Sequence, residues 1–332
     1  MLFWPKSKKL SKTLALIGSA VALVSCASPG QVANPSPRPL PAAVVSYPID
    51  NPADLTIGPD GALWVTGHGP NYVARVSNTG ATRLFATPST NAKRAGIVTG
   101  PDGNLWFTEL DGGHIGRLTT SGTFTMFPLP RQDSVSNIVV AHDGAMWFGE
   151  PSSARLGRIT VNGDISERPL PAHADPTFVD AAADGSIWFT EPHGDRIGKI
   201  GSDGAVQEFA LPTIGSAPWS IVSAADGYEW FTERDGNRIG RISNDGKIAE
   251  FAIPTPNATP WAIAAAPNGD IWFTEFGESA NRIGRLSPSG RFFEQPIPTR
   301  SSNPSGIAVQ NDNTVWFVEN SGHHVSRLTV RG

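Results

Sequence analysis

Cysteine is almost absent from this chain of 332 residues, because Cys26 is the only one. One cysteine cannot form a disulfide within a single chain, so a disulfide scaffold is excluded. A basic surplus is missing as well, since 26 Lys and Arg stand against 30 Asp and Glu. This acidic balance gives no support to nucleic-acid binding, and we expect no nucleic-acid partner.

The globular part also lacks the common short motifs of catalysis. It has no Ser-His-Asp order, no glycine-rich phosphate loop and no Cys/His spacing of a zinc site. Glycine is nevertheless abundant, with 35 residues, because the many tight turns need it. The familiar hydrolase, nucleotide-binding and zinc-site signatures therefore offer no guide to function.

The first 25 residues have the form of a secretory signal, with four lysines followed by an apolar run from Leu14 to Val24. That run is too short to span a bilayer comfortably as a mature helix. It leads into Leu23-Val24-Ser25-Cys26, the order of a bacterial lipobox. We expect lipid attachment at Cys26, export to the bacterial cell envelope, and membrane contact through this anchor only. The alternative is a buried free thiol.

Three segments follow from this pattern. Residues 1–25 are the expected lipoprotein signal peptide, whose removal changes the formal net charge from −4 to −8. Residues 26–43 are rich in Pro, Ser and Ala with almost no charge, a composition typical of an extended tether. Residues 44–332 form the expected globular domain.

A unit of about 42 residues repeats through the globular part. Its clearest marker is one tryptophan per unit, with spacings of 42, 41, 41, 42, 42 and 44 residues. Each unit carries two turn signals, such as Asp102-Gly103 and Ser121-Gly122, and the apolar stretches between turns have the length of strands. The repeated tryptophans are Trp64, Trp106, Trp147, Trp188, Trp230, Trp272 and Trp316.

Seven units of four short strands predict an all-β fold, a seven-bladed β-propeller. The last unit ends after three strands, and the motif of its missing strand occurs ahead of the first unit, at Tyr47-Pro48-Ile49. We expect this N-terminal strand to complete the last blade and close the ring, because an unpaired blade edge would otherwise remain. We expect the closed ring to be a monomer.

The repeat resembles that of the virginiamycin B lyase, or streptogramin lyase, family over residues 44–330. The resemblance lies in Gly-Pro-Asp-Gly-Asn-Leu-Trp-Phe-Thr-Glu at residues 100–109, Ile-Gly-Arg-Leu at 115–118 and Phe-Pro-Leu-Pro at 127–130. It implies a carbon-oxygen lyase that opens a cyclic depsipeptide antibiotic by elimination, using Mg²⁺ and a histidine near the central axis. Such chemistry needs a general base and a cation that stabilises the developing enolate.

Four functional positions of the family match positions in the last two units. The two family histidines each follow a proline, and this sequence has Trp261 and Ser305 there. The family glutamate that precedes the second of these prolines is replaced by Asn303, whereas a further family glutamate matches Glu319. Three of the four positions therefore lack the family's residue.

A glutamate stands three residues after the repeated tryptophan in six of the seven units, and a closed ring would set these six carboxylates around one end. One interpretation is a site for a metal or cationic ligand near the axis. The other is an ion pair across each hairpin with the basic residue that follows, which is favoured where that residue is arginine. The glutamates are Glu109, Glu150, Glu191, Glu233, Glu275 and Glu319.

Two of these glutamates face histidine instead of arginine. Glu109 is followed by His114 and Glu319 by His324, and His68 would lie between the two pairs in a closed ring. Imidazole titrates near neutral pH and serves both as a base and as a metal ligand. Glu109 and Glu319 are thus candidate metal ligands, and His68 and His324 are candidate catalytic bases.

Trp219 and Trp261 each follow a proline at the start of a unit. Core filling is the usual role of tryptophan, but paired aromatics beside an axial opening also suit stacking on a ring or a peptide. We expect a divergent family member that binds a small or peptidic ligand at the axis, with Asn303 and Ser305 as further ligand-binding candidates. The alternatives are an active carbon-oxygen lyase with a relocated base, and a non-catalytic scaffold for an envelope protein; a sugar-lactone hydrolase fits less well.

Overall fold

The computed structural model describes residues 42–68, 72–89, 93–111, 113–277 and 279–330, and of Arg94 and Ala95 the backbone alone. The expected signal peptide, Cys26 and most of the expected tether lie outside these ranges. The described part consists of β-strands and two short 3₁₀ turns, Pro151–Ser153 and Pro192–Gly194. Within it, no helix is long and apolar enough to cross a membrane.

The strands form seven antiparallel sheets of four strands each, which are the blades of a propeller. Blade 1 contains β2 (Pro52–Ile57), β3 (Leu63–Gly67), β4 (Tyr72–Val76) and β5 (Thr82–Ala86). Blade 2 contains β6 (Arg94–Thr99), β7 (Leu105–Glu109), β8 (His114–Leu118) and β9 (Phe124–Pro128). Blade 3 contains β10 (Ile138–Val140), β11 (Met146–Glu150), β12 (Arg155–Ile159) and β13 (Ile165–Pro169).

The next three blades repeat this order. Blade 4 contains β14 (Val179–Ala181), β15 (Ile187–Glu191), β16 (Arg196–Ile200) and β17 (Val206–Ala210). Blade 5 contains β18 (Pro218–Ser223), β19 (Glu229–Glu233), β20 (Arg238–Ile242) and β21 (Ile248–Ala252). Blade 6 contains β22 (Pro260–Ala265), β23 (Ile271–Glu275), β24 (Arg282–Leu286) and β25 (Phe292–Pro296).

Blade 7 is assembled from both ends of the described chain. It contains β26 (Pro304–Asn311), β27 (Thr314–Glu319), β28 (His324–Val330) and, as the outer strand, β1 (Ala42–Pro48). The first strands of neighbouring blades contact one another in a closed ring, with β26 beside β2. The predicted seven-bladed fold and its closure by an N-terminal strand are therefore confirmed. β1 begins slightly ahead of the expected start at Val44, because Ala42 already pairs with Val330.

The repeated tryptophans pack between blades. Trp106 is fully buried and lies in one apolar cluster with Met146 and Phe148 of the next blade. Phe127, from the outer strand of its own blade, stacks on the indole at 5.4 Å, and the guanidinium of Arg117 lies 5.5 Å from the ring. The arginine of the Ile-Gly-Arg motif thus covers the blade tryptophan in this blade.

Steric crowding explains why the Ile-Gly-Arg motif has glycine at its second position. A Cβ added at Gly116 would lie 2.1 Å from the ring of Phe107, and one added at Gly240 would lie 2.1 Å from the ring of Phe231. These distances are far inside van der Waals contact, so the phenylalanine of the second strand needs a residue without a side chain opposite it. The motif therefore records a packing requirement within the blade.

The threonine of the Trp-Phe-Thr-Glu segment links neighbouring blades. In blade 5, the hydroxyl of Thr232 accepts a hydrogen bond from the backbone N of Ser220 at 3.0 Å and donates one to the carbonyl of Trp261 in blade 6 at 3.1 Å. Thr274 makes the same pair of bonds, to Ala262 and Ser305. Because each hydroxyl is buried, it joins two innermost strands without help from water.

We predict that Thr232→Val lowers the free energy of unfolding by about 1–3 kcal/mol, because the replacement keeps the shape but leaves the N–H of Ser220 and the carbonyl of Trp261 without their buried partner. Valine fits this position, since Val318 occupies it in blade 7. Denaturant unfolding measures the loss. Thr82→Val on the exposed outer strand of blade 1 is the control, and an equal loss in both variants would contradict the linking role.

Candidate ligand site at the mouth of the propeller

One face of the ring, here called the mouth, is where the innermost strands begin and the second strands end. The register places Pro218 opposite Glu233, and Pro260 opposite Glu275. Both innermost strands carry a register shift just after the proline. Each proline is therefore followed at the mouth by a residue outside the regular ladder, and in two adjacent blades that residue is tryptophan.

Four aromatic side chains form a continuous aromatic cluster at the mouth. The rings of Trp219 and Trp261 have centroids 4.7 Å apart and are inclined at 46°. Trp261 stacks on Phe276 at 4.9 Å, and Trp219 lies 5.8 Å from Phe178. All four side chains are half-buried, so the cluster keeps exposed ring surface. The two tryptophans predicted as ligand-binding candidates are thus in contact with each other.

Polar and apolar groups border this cluster. The guanidinium of Arg234 lies 4.6 Å from the ring of Trp219, a cation–π geometry. The indole Nε1 of Trp219 is buried and has no hydrogen-bond partner among the described residues. Ile214, in the loop leading to Trp219, is 91% exposed. The guanidinium of Arg234 also pairs with Asp235, with Nε 2.9 Å from Oδ1. The site therefore combines ring faces, one ion pair, one unused donor and an exposed aliphatic side chain.

Asn303 and Ser305, the other two ligand-binding candidates, are engaged within the protein. The hydroxyl of Ser305 donates to the carbonyl of Ala53 at 3.3 Å, which joins blade 7 to blade 1, and the residue is 8% exposed. Asn303 has a φ of 49° and donates from Nδ2 to the hydroxyl of Ser321 at 2.8 Å. The observed contacts give both residues structural roles.

His68 is half-buried and follows directly on β3. Its backbone N donates to the carbonyl of Asn51 at 2.9 Å, and its own carbonyl accepts from the side-chain Nδ2 of Asn51 at 2.8 Å. Its Nδ1 is buried and has no hydrogen-bond partner within the described ranges. Burial, followed by the positive charge of Lys93, lowers the pKa of this imidazole below its usual value. His68 is therefore a neutral imidazole at neutral pH, the protonation state that a base requires.

His324 and Glu319 begin and end the two neighbouring strands of blade 7 and face each other across the ladder. Glu319 is fully buried, and its Oε1 accepts hydrogen bonds from the hydroxyls of Ser326 and Ser46. The Nδ1 of His324 is buried and has no partner among the described residues. Glu319 is thus held inside the blade by two serines.

The family positions do not offer the donor set that Mg²⁺ takes. Mg²⁺ binds through carboxylates and other oxygens in octahedral geometry. Of the four positions, Trp261 has no oxygen in its side chain, Ser305 and Asn303 bond within the protein, and only Glu319 has a carboxylate. Across the described ranges, no three His, Cys, Asp or Glu side chains form a group that could hold a metal ion. His68, Glu109 and Glu319 accordingly do not form one.

The six repeated glutamates lie inside their blades, fully buried, and not on the mouth surface. The predicted ion pair across the hairpin is present in blade 4, where Arg196 Nη1 lies 3.9 Å from Glu191 Oε2, and Glu109 has His114 Nδ1 at 3.8 Å. In blade 5 the arginine contacts the outer strand instead, with Arg238 Nε 3.6 Å from Glu250 Oε2. The arginine also contacts the outer strand in blade 3, where Arg155 pairs with Glu167, and in blade 6, where Arg282 pairs with Glu294.

In blades 3 and 5 the buried glutamate also lies near a carboxyl group of the outer strand, and this raises its pKa. Burial, and then the negative charge of Glu250, raise the pKa of Glu233 to about 8. Burial and Glu167 raise the pKa of Glu150 to about 7 in the same way. Glu233 and Glu150 are therefore largely protonated near neutral pH. This protonation explains how one arginine suffices for two carboxyl groups.

Asp54, on the innermost strand of blade 1, was not among the residues singled out from the sequence. Burial raises the pKa of its carboxyl to about 7, against hydrogen bonds from the backbone at Leu55 and Ile97. A Cβ added at Gly306 of blade 7 would lie 2.6 Å from Asp54 Oδ1, so the glycine makes room for the carboxyl. The signal in the sequence was its departure from the repeat, since no other blade has an acid in this register.

The fold and the mouth define a closed, seven-bladed β-propeller with an aromatic site where its innermost strands begin. The family model of the virginiamycin B lyase family matches residues 40–328. The chain belongs to the virginiamycin B lyase family. Among curated protein sequences, none matches it significantly.

Solved structures of this family superpose on nearly the whole domain. Virginiamycin B lyase from Staphylococcus aureus is 35% identical with a TM-score of 0.83, over 87% of this chain and 100% of that one. A streptogramin B lyase is 35% identical with a TM-score of 0.82, over 87% and 98%. A catalytically inactive histidine-to-alanine variant of the Staphylococcus aureus enzyme, solved with quinupristin, is 36% identical with a TM-score of 0.82, over 87% and 100%.

We predict that Glu233→Gln stabilises the protein at pH 8 by about 1–3 kcal/mol and has little effect at pH 5. The folded pKa of about 8 lies above the ordinary 4.5, so the folded state binds the proton more tightly. The resulting stabilisation is complete below pH 4.5 and is lost as the pH rises through about 8. Glutamine does not titrate, so the variant does not lose this stabilisation as the pH rises.

Denaturant unfolding of wild type and Glu233→Gln at both pH values measures this difference. Asp245→Asn is the control, because Asp245 lies in an exposed turn and has a lowered pKa. A Glu233→Gln variant that is destabilised equally at both pH values would contradict the protonated state of this glutamate.

Proposed function

We propose that this protein binds a peptide or cyclic peptide bearing aromatic rings at the mouth of the propeller. The observation that carries the proposal is the contact of Trp219 with Trp261 within the half-buried aromatic cluster. In this register the family has histidine in blade 6, and replacing it by tryptophan exchanges a proton-transfer group for a stacking surface. Binding is therefore the function that these residues support best.

The groups around the cluster favour a peptidic ligand. Stacked rings bind aromatic or proline side chains, and Arg234, whose guanidinium pairs with Asp235, covers Trp219. The buried indole Nε1 of Trp219 gains a partner if a backbone carbonyl reaches it. The 91% exposed Ile214 gives a chain of several residues an apolar contact beyond the cluster.

We predict that quinupristin, the compound in the relative's structure, binds to the purified domain saturably without being opened. Trp219→Ala should weaken binding at least about tenfold, because it removes a stacking face and the partner of Arg234. Tryptophan fluorescence measures binding, and mass spectrometry of the compound detects ring opening. Trp4 lies outside residues 42–332 and so does not contribute to the fluorescence of the domain. Trp147→Phe, which lies in blade 3 away from the mouth, is the matched control.

The alternative is an active carbon-oxygen lyase with a relocated base, and the state of His68 favours it. This imidazole has a lowered pKa, and its Nδ1 has no partner in the part of the chain that the structure describes, so it is able to accept a proton. Ring opening that is lost in His68→Ala but kept in His324→Ala would establish this lyase activity and overturn the pure binding function. Absence of both binding and ring opening would overturn both functions and leave a scaffold that holds an envelope protein.

We further propose that the propeller is exported to the bacterial cell envelope and held there by lipid on Cys26. The support is the order of charged segment, apolar run and Leu-Val-Ser-Cys at residues 23–26. We predict that Cys26→Ser abolishes incorporation of labelled palmitate and releases the protein from the membrane fraction. Ser25→Ala serves as the control, since it keeps a small residue before the cysteine; membrane attachment that persists in Cys26→Ser would contradict the anchor.

A further inference from the structure

A cavity of about 220 Å³ lies on the face opposite the mouth, between blades 4 and 5. It lies at the turns that join the first and second strands of these blades, on the far side from Trp219 and Trp261. It is therefore separate from the aromatic cluster. Its lining includes Ala182, Asp184, Ser223, Ala224, Glu229 and Asn244.

Three residues around this cavity depart from the repeat. Glu229 begins the second strand of blade 5, where every other blade has an apolar residue packed against the preceding blade. Asp180 of blade 4 replaces a threonine, valine or alanine, and Lys199 replaces an arginine. The apolar residues equivalent to Glu229 are Leu63, Leu105, Met146, Ile187, Ile271 and Val315. The interface between blades 4 and 5 therefore contains carboxyl groups at positions where the other blades have mostly apolar residues.

Ser223 connects the two carboxylates across the interface. Its hydroxyl donates to Glu229 Oε1 at 2.7 Å, and its backbone N donates to Asp180 Oδ2 at 2.5 Å. The second oxygen of the glutamate, Oε2, is buried and has no hydrogen-bond partner in the described part of the chain. Glu229 is only 5% exposed and lines the cavity. A buried carboxylate oxygen without a partner is costly unless a ligand satisfies it.

The nearby lysine does not supply that partner. Lys199 donates to Asn244 Oδ1, and its Nζ lies 5.0 Å from the ring of Trp188. Asp184 adds a further negative charge, and its Oδ1 accepts from the backbone N and hydroxyl of Ser186. Burial, and then the charge of Asp180, raise the pKa of Glu229 to about 8. Three carboxyl groups, those of Asp180, Asp184 and Glu229, thus lie near one lysine, and the site gains negative charge as Glu229 loses its proton toward pH 8.

We propose that this cavity binds a small organic cation, with a primary ammonium group on Glu229 and an alkyl chain along Ala182 and Ala224. An ammonium group donates three hydrogen bonds and so reaches the free oxygen of Glu229 while pairing with its charge. The alanine walls favour an alkylamine over a bare metal ion, and among the described residues no group of three carboxylates, histidines or cysteines is assembled to hold a metal.

Calorimetric titration of the folded domain with n-butylammonium chloride tests the proposal. We expect saturable millimolar binding that Glu229→Gln weakens at least about tenfold, because the amide keeps the size of the side chain but loses its charge. Glu229→Ile should also lose binding while remaining folded, since Ile187 and Ile271 occupy the equivalent positions. Affinity should rise as the pH increases toward about 8, because the cation competes with the proton on Glu229.

Two controls make the result decisive. Asp203→Asn removes an exposed carboxylate from another turn on the same face and should bind like wild type. 1-Butanol has the same chain without the charge and should not bind. No saturable binding of butylammonium, equal binding by Glu229→Gln, or calcium binding with the same dependence on Glu229 would each overturn the proposal.

Discussion

The fold depends on the burial of one tryptophan per blade between neighbouring sheets. A four-stranded sheet of this length cannot bury both faces by itself, so each blade is stable only when the next covers it. Trp64 of blade 1 packs against Leu105 and Phe107 of blade 2, and Trp316 of blade 7 packs against Val65 of blade 1. Closure of the ring gives every tryptophan such a partner.

Other parts of the repeat follow from this packing. The phenylalanine after the tryptophan fills the blade and requires the glycine opposite, as Phe231 does with Gly240. The threonine after that joins the innermost strands of adjacent blades, and the glutamate lies buried beside a second carboxylate from the outer strand. The repeated residues thus have structural roles. Residues with a specific function are therefore expected where one blade differs from the others.

Those departures fall in separate places. At the mouth, two tryptophans replace small or polar residues, and Arg234 covers one of them. On the opposite face, Glu229 and Asp180 enter an interface that is apolar in the remaining blades. Membership of the virginiamycin B lyase family explains the scaffold on which both stand. The activity of a member depends on its own side chains, because one propeller supports many sites.

The sequence by itself determined the number of blades, their four strands and the closing role of Tyr47-Pro48-Ile49, because these depend on a period and on turn residues that are local. It could not decide the partners of the glutamates. Glu233 was expected to pair with Arg238, but the guanidinium lies on Glu250 of the outer strand. Only the tertiary structure decided such contacts, and with them the raised pKa of buried carboxyls and the contact of Trp219 with Trp261. Arg238 and Glu250 are 12 positions apart and the two tryptophans 42, and what joins them is burial and charge, which no local pattern records.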